Sequence, residues 1–232
     1  MRFLIISLLC IFPVSLYSLG SSESSNRRRS ADPPAVQSSA DSAAVNYNVI
    51  PDEPVHGIII KDLPETPWFI MGRGETGAEI LVSFLLNENR NADRAFVESL
   101  TNYYINESVK EGINHDIAFV QMCLETGFLR FGGLVLPEMN NFCGLGAIGP
   151  GETGLWFPSV ELGVRAHIQH LHAYASTEPL KGELVDPRYS LVRRGSSPVI
   201  QGLSGTWAAD KLYADKIEAI LKRLHSYRDA QQ

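Results

Sequence analysis

The residue with the strongest claim to chemistry is Glu125, in the run Asp116-Ile-Ala-Phe-Val-Gln-Met-Cys-Leu-Glu125-Thr-Gly127. The run has a helical apolar pattern and stops at a glycine, which places Glu125 in the last turn. Two effects there act in one direction. Burial among Met122, Leu124 and Phe128 disfavours the charged carboxylate, and so does the negative end of the helix dipole. A carboxyl held neutral near pH 7 can serve as a general acid. Other constellations carry less. Gly72, Gly74 and Gly77 match the dinucleotide pattern G-x-G-x-x-G, with an apolar run before and a helix after. No second parallel strand follows, so they read as turn glycines. Gly144, Gly146 and Gly149 match it too, but Pro150 and Gly151 stand where a helix should open. No nucleotide cofactor is expected. His167, His170 and His172 lack the i, i+4 spacing and intervening Glu of a helical zinc site, so no metal is expected. No G-x-S-x-G elbow anchors serine-hydrolase chemistry.

Helices must position Glu125. Thr76-x-x-Glu79 reads as a capping box before Ile80, Leu81, Phe84 and Leu85. Residues 95–111 carry Phe96, Leu100, Tyr103 and Tyr104 on one face and stop at Gly112, and residues 116–126 follow. Ser159 caps a helix with Val164, Ile168, Leu171 and Ala175 inward, and residues 210–227 close the chain with Tyr213, Ile217, Ile220 and Leu224. Residues 132–158 are glycine-rich with little periodicity, which predicts a loop or a small hairpin. Residues 55–63 read as a short strand around Ile58 to Ile60, and residues 68–71 as a second apolar run. The fold class is mainly α (α+β).

The chain has 232 residues, 44% hydrophobic and 20% charged, with 20 Lys and Arg against 26 Asp and Glu. Its acidity argues against nucleic acid as a partner, since phosphate neutralisation needs clustered basic residues. Residues 1–20 read as a secretory signal: Arg2, an apolar run from Phe3 to Val14, and small residues at Ser18 and Gly20. The run is too short for a membrane span, so membrane attachment is expected only through an uncleaved signal or a lipid on Cys10. The expected location is therefore exported and associated with the cell envelope. Residues 21–54, rich in Ser, Ala, Pro and Asn and holding Arg27 to Arg29, read as a disordered linker. Residues 55–232 form the domain. Cys123 and Cys143 remain in it, as a pair or as two buried thiols.

Several segments are familiar together. Residues 116–133 (DIAFVQMCLETGFLRFGG), 140–147 (NNFCGLGA), 157–176 (FPSVELGVRAHIQHLHAYAS), 186–196 (DPRYSLVRRGS) and 207–221 (WAADKLYADKIEAIL) occur in this order. They resemble the bacterial peptidoglycan β-N-acetylglucosaminidases of the flagellar-rod and autolysin type, glycoside hydrolase family 73. The resemblance implies a lysozyme-like helical fold with a groove for a peptidoglycan glycan strand. It also implies hydrolysis of the β-1,4 bond between N-acetylglucosamine and N-acetylmuramic acid, with Glu125 as catalytic acid and no cofactor. A second group must then trap or stabilise the oxocarbenium-like carbon. It can be a carboxylate base or the substrate's own acetamido oxygen. Glu152, in the loop Gly151-Glu152-Thr153-Gly154, is preferred over Glu161, a first-turn residue that suits the helix dipole, and over Glu138. Asn140, Asn141 and Phe142 match the family's segment after the catalytic helix and are expected to contact sugar, as are Tyr174 and Trp207. Trp207 stands where many relatives carry Tyr. Tyr213 reads as structural. The same fold could serve a muramidase, a lytic transglycosylase or a wall-binding module.

Overall fold

The computed structural model describes residues 67–147, 149 and 153–232. The expected signal, linker and strand at residues 55–63 lie outside the described residues, as does Glu152. What is described is mainly helical. Five α-helices follow in chain order: α1 (Ala78–Glu88), α2 (Arg94–Glu111), α3 (His115–Thr126), α4 (Val160–Ala175) and α5 (Tyr213–Asp229).

Helix α3 is the centre. Asn114 caps it by accepting from the Asp116 and Ile117 amides, and Gly127 ends it in the left-handed region at φ 57°. Every residue from His115 to Cys123 is buried. A helix apolar nearly all round belongs in the middle of a fold, and α3 packs against α2, α4 and α5. Around it α2 packs on α1 and α4, while α5 packs on α1. The expected bounds of α2 and α4 hold, with Asp93 capping the first and Ser159 the second. The inward face of α2 is centred differently than expected: Leu100 and Tyr104 are buried together with Val97 and Thr101, but Phe96 and Tyr103 only partly so.

One reading needs correction. Thr76 is no cap: Gly77 occupies the N-cap of α1 without a side-chain bond. The Thr76 hydroxyl instead donates to Asp116 Oδ2 at 3.0 Å, because the buried carboxylate at the start of α3 is the stronger acceptor. The glycine-rich stretch, expected as a loop or a small hairpin, is loop-like among its described residues: it holds one 3-10 turn, Pro137–Met139, a β-bridge residue at Gly149 and otherwise irregular backbone.

Asp116 ties three segments together. It accepts from the amides of Glu75 and Thr76, from the Thr76 hydroxyl, and from His225 Nε2 on α5 at 3.3 Å. Burial alone would raise its carboxyl, but the His225 bond, the Glu75 amide, His115 and Thr76 outweigh it and hold it below the usual carboxylate range. A lowered folded value contributes stability that is present above the unfolded pKa and lost as pH falls through the folded one. Asp116→Asn is therefore expected to lose about 2 kcal/mol at pH 7, with the gap from wild type narrowing in acid. Urea unfolding at pH 7 and pH 3 checks this.

Candidate active site

Glu125 lies two residues before the glycine stop, where a helix can aim a side chain out of the core while its backbone stays in it. Thr126 secures that end: its hydroxyl donates to the Met122 carbonyl at 2.8 Å and accepts from the Leu129 amide at 3.0 Å. Beyond it the chain is strained. Phe128, Leu129 and Phe131 all have positive φ, as does Asn140 further on. Each such residue costs about 1–2 kcal/mol, and such strain gathers at functional sites. Local contacts hold it in place: Asn89 Nδ2 donates to the Phe128 carbonyl at 2.8 Å, and the Phe84 ring packs on Phe128.

Two donors converge on one oxygen of Glu125. Trp207 Nε1 donates to Oε1 at 3.2 Å, and the Tyr213 hydroxyl donates to the same atom in a short hydrogen bond. The other oxygen, Oε2, faces the glycine-rich loop, where a Cβ placed on Gly144 would lie 3.8 Å away. The residue as a whole is partly exposed, but its carboxyl is sheltered by these neighbours. Burial raises its pKa to about 7, against the lowering pull of Tyr213 and Trp207. The carboxyl thus holds its proton to much higher pH than an exposed glutamate does. Both fixed donors approach Oε1, which leaves Oε2 as the favoured seat for the exchangeable proton.

Trp207 is itself wedged. Its ring meets His170 at 5.0 Å, Tyr174 at 5.5 Å and His167 at 5.7 Å, and the Tyr174 hydroxyl donates to the Thr206 carbonyl at 3.0 Å. His170 Nδ1 lies 2.7 Å from Asp186 Oδ2, which orients its ring against the indole. The three helical histidines thus have protein partners: His167 bridges Tyr104 and Gln121, and His172 stacks on Tyr189. Cys123 and Cys143 are both free and buried.

A family model described as mannosyl-glycoprotein endo-beta-N-acetylglucosaminidase matches residues 101–226. This is more than half of the chain, and it contains α3, α4, most of α5, and Glu125 with its partners Trp207 and Tyr213. The chain belongs to the glucosaminidase family. A glycoside hydrolase fold of the family 73 type, acting on peptidoglycan glycan in general, comes with that membership. An uncharacterized protein of Borreliella burgdorferi is 46% identical over 162 residues, covering 70% of this chain and 79% of that relative. No solved structure matches the chain.

Within this glucosaminidase domain the expected sugar contacts sort differently from the sequence reading. Asn141 and Phe142 are buried to 1% exposure. The Asn141 amide donates to the Leu145 and Leu155 carbonyls and accepts from the Leu145 amide, so it is spent pinning the loop together. Tyr174 and Trp207 are each 5% exposed, and both are built into the wall behind Glu125 rather than presented as open stacking faces. Asn140 stays partly exposed, yet its amide donates to the Phe157 carbonyl at 2.9 Å. It borders a cleft of about 430 Å³ with Phe96, Tyr103, Ser159 and Glu161. Glu161 is held by Arg165 at 2.7 Å, which also clamps Glu107 with two bonds of 2.9 Å, and Glu138 is exposed on the 3-10 turn.

Tyr213 is the residue the sequence reading missed. Its ring is buried, in keeping with a structural role, but its hydroxyl reaches Glu125. No local spacing could reveal a partner 88 residues away. Gln121 did leave a signal: it lies four residues before Glu125, inside the apolar stretch from Ile117 to Leu124, and a buried amide there must find partners.

Proposed function

We propose that this protein hydrolyses the β-1,4 bond between N-acetylglucosamine and N-acetylmuramic acid in peptidoglycan, with Glu125 as the general acid. The observation that supports it most is the setting of Glu125: a sheltered carboxyl that takes both Trp207 and Tyr213 on Oε1 and turns Oε2 to the glycine-rich loop, its pKa raised by burial to about 7. Oε2 delivers the proton to the leaving glycosidic oxygen. The carbon left behind is stabilised by a carboxylate-activated water or by the substrate's acetamido oxygen. Glu161 is engaged by Arg165 at 2.7 Å, and Glu152 stays the proposed carboxylate. Residues 1–20 act as the export signal that brings the enzyme to this substrate.

Digestion of purified peptidoglycan by the protein, followed by borohydride reduction and mass spectrometry, tests the assignment. Reduced N-acetylglucosamine ends are expected. Reduced muramic ends would move the cut to the other bond, anhydro-muramic ends would make the enzyme a transglycosylase, and no soluble products would overturn the enzymatic reading.

A further inference from the structure

A chain of hydrogen bonds runs from Glu125 into the core. Tyr213 hydroxyl oxygen accepts from Gln121 Nε2 at 2.8 Å; Gln121 Oε1 lies 3.0 Å from His167 Nε2; and His167 Nδ1 lies 2.8 Å from the Tyr104 hydroxyl. Tyr104, Gln121 and His167 are all fully buried. The links come from four separate helices, α2, α3, α4 and α5, so no local turn preference creates them.

The direction of the chain follows from elementary valence. An ionised Glu125 can only accept, so Tyr213 must donate to it. The Tyr213 oxygen is then free to accept, and Gln121 must present its N–H₂. That leaves the Gln121 carbonyl toward His167, which must donate from Nε2. His167 is neutral, its pKa brought down to about 3 by burial and by His170, so its Nδ1 has only a lone pair and takes the Tyr104 proton. Every donor points toward the acid. The reverse arrangement would have a protonated Glu125 donate from Oε1 into Tyr213, with Gln121 flipped, His167 in its other tautomer and Tyr104 accepting. In that state the catalytic proton is held inward and is of no use to a substrate at Oε2.

We infer that Tyr104, His167 and Gln121 are positioning residues that keep this donor chain in one direction, commit the Tyr213 hydroxyl to Glu125 Oε1, and so keep the exchangeable proton on Oε2. The inference rests on the reading of Glu125 as the acid. Hydrogen bonds in such a chain polarise one another, so the Gln121 N–H makes Tyr213 a better donor to the carboxylate. The direction agrees with the effect of each link: Gln121 pulls Tyr213 down against the burial that raises it, and Tyr213 pulls Glu125 down. The titratable groups around the chain are Tyr213 from α5, Tyr104 from α2, His167 and His170 from α4, Cys123 from α3, Cys143 from the glycine-rich loop, and Asp186 behind His170.

The first test needs no variant. Long-range ¹⁵N–¹H correlation spectra of the full chain at pH 6–8 are expected to show His167 neutral and protonated on Nε2. Protonation on Nδ1 would reverse the chain and overturn the proposal. The second test is a cycle on the pH dependence of peptidoglycan hydrolysis. Gln121→Met is expected to raise the midpoint of the basic limb by about half a pH unit and lower kcat about tenfold with KM unchanged. Tyr213→Phe should raise the limb further, and adding Gln121→Met to it should then move the limb no more, because the chain acts only through that hydroxyl. Equal shifts of the limb in both backgrounds would overturn the proposal. Failure of the acid assignment is distinguishable: Glu125→Gln would then keep its activity, whatever the tautomer of His167.

Discussion

Glu125→Gln is expected to fold normally, to lose peptidoglycan hydrolysis by about 10²–10⁴-fold, and to be more stable than wild type at alkaline pH. The loss follows because an amide has no acidic proton for the leaving oxygen. The substitution is otherwise mild: the Gln carbonyl accepts from Trp207 and Tyr213 as Oε1 does, and its N–H₂ takes the place of protonated Oε2. The gain in stability comes from linkage. Burial raises the Glu125 pKa from 4.5 to about 7, so between those values the folded state binds more protons than the unfolded state. Wild-type stability therefore falls as pH rises across that window and levels off above it. Gln carries no such penalty. Its advantage should be absent near pH 4 and reach about 1–3 kcal/mol by pH 8.5. Thermal unfolding at both pH values, alongside release of reducing ends, checks the pair of effects. Near-full activity in the variant would remove Glu125 from the mechanism. A variant equally less stable at both pH values would show that its carboxyl is not held against its charge.

The second large effect is expected at Gly163, on the first turns of α4. A Cβ built there would sit 1.7 Å from the Asn140 carbonyl oxygen and 2.9 Å from its carbon. The obstacle is backbone, and that backbone has little freedom. Asn140 is already left-handed at φ 50°, its amide holds the Phe157 carbonyl, and the Phe157 amide donates to the Met139 carbonyl at 2.9 Å. Gly163→Ala must therefore push α4 and the loop apart. A destabilisation of about 3 kcal/mol is expected, or roughly 6–12 °C in Tm for a domain of this size. The loop displaced at Asn140 continues through Asn141 and Leu145 around Gly144, which faces Glu125 Oε2. Activity should thus fall even at temperatures where the variant stays folded. Gly133→Ala is the control, since a Cβ there meets nothing within 4 Å, and it should be silent. An unchanged Tm for Gly163→Ala would mean that α4 and the loop are not locked together as described.

Much of this protein is written in local pattern. Helix α3 could be placed from its apolar run, and its end from Gly127, because a helix termination is a matter of a few neighbouring residues. The same is true of α4 and its Ser159 cap. Glu125 stood out for the same reason: its position in a last turn among apolar neighbours implies a raised pKa, and burial does raise it. The helix dipole was expected to help, but desolvation is the dominant cause.

What the sequence by itself determined was thus the set of helices and the one carboxyl poised to hold a proton. The tertiary structure decided which donors meet that carboxyl, and at which oxygen. Trp207, Tyr213, Gln121, His167 and Tyr104 come from distant parts of the chain: Tyr104 and Tyr213 looked like core, Trp207 like a sugar contact, and nothing in the sequence joined any of them to Glu125. Hydrogen bonding depends on the meeting of individual atoms, and those meetings are set by how four helices pack rather than by any spacing along one of them. Thr76 is the same lesson in reverse. Its local pattern favoured a helix cap, and a buried carboxylate forty residues on took its hydroxyl instead.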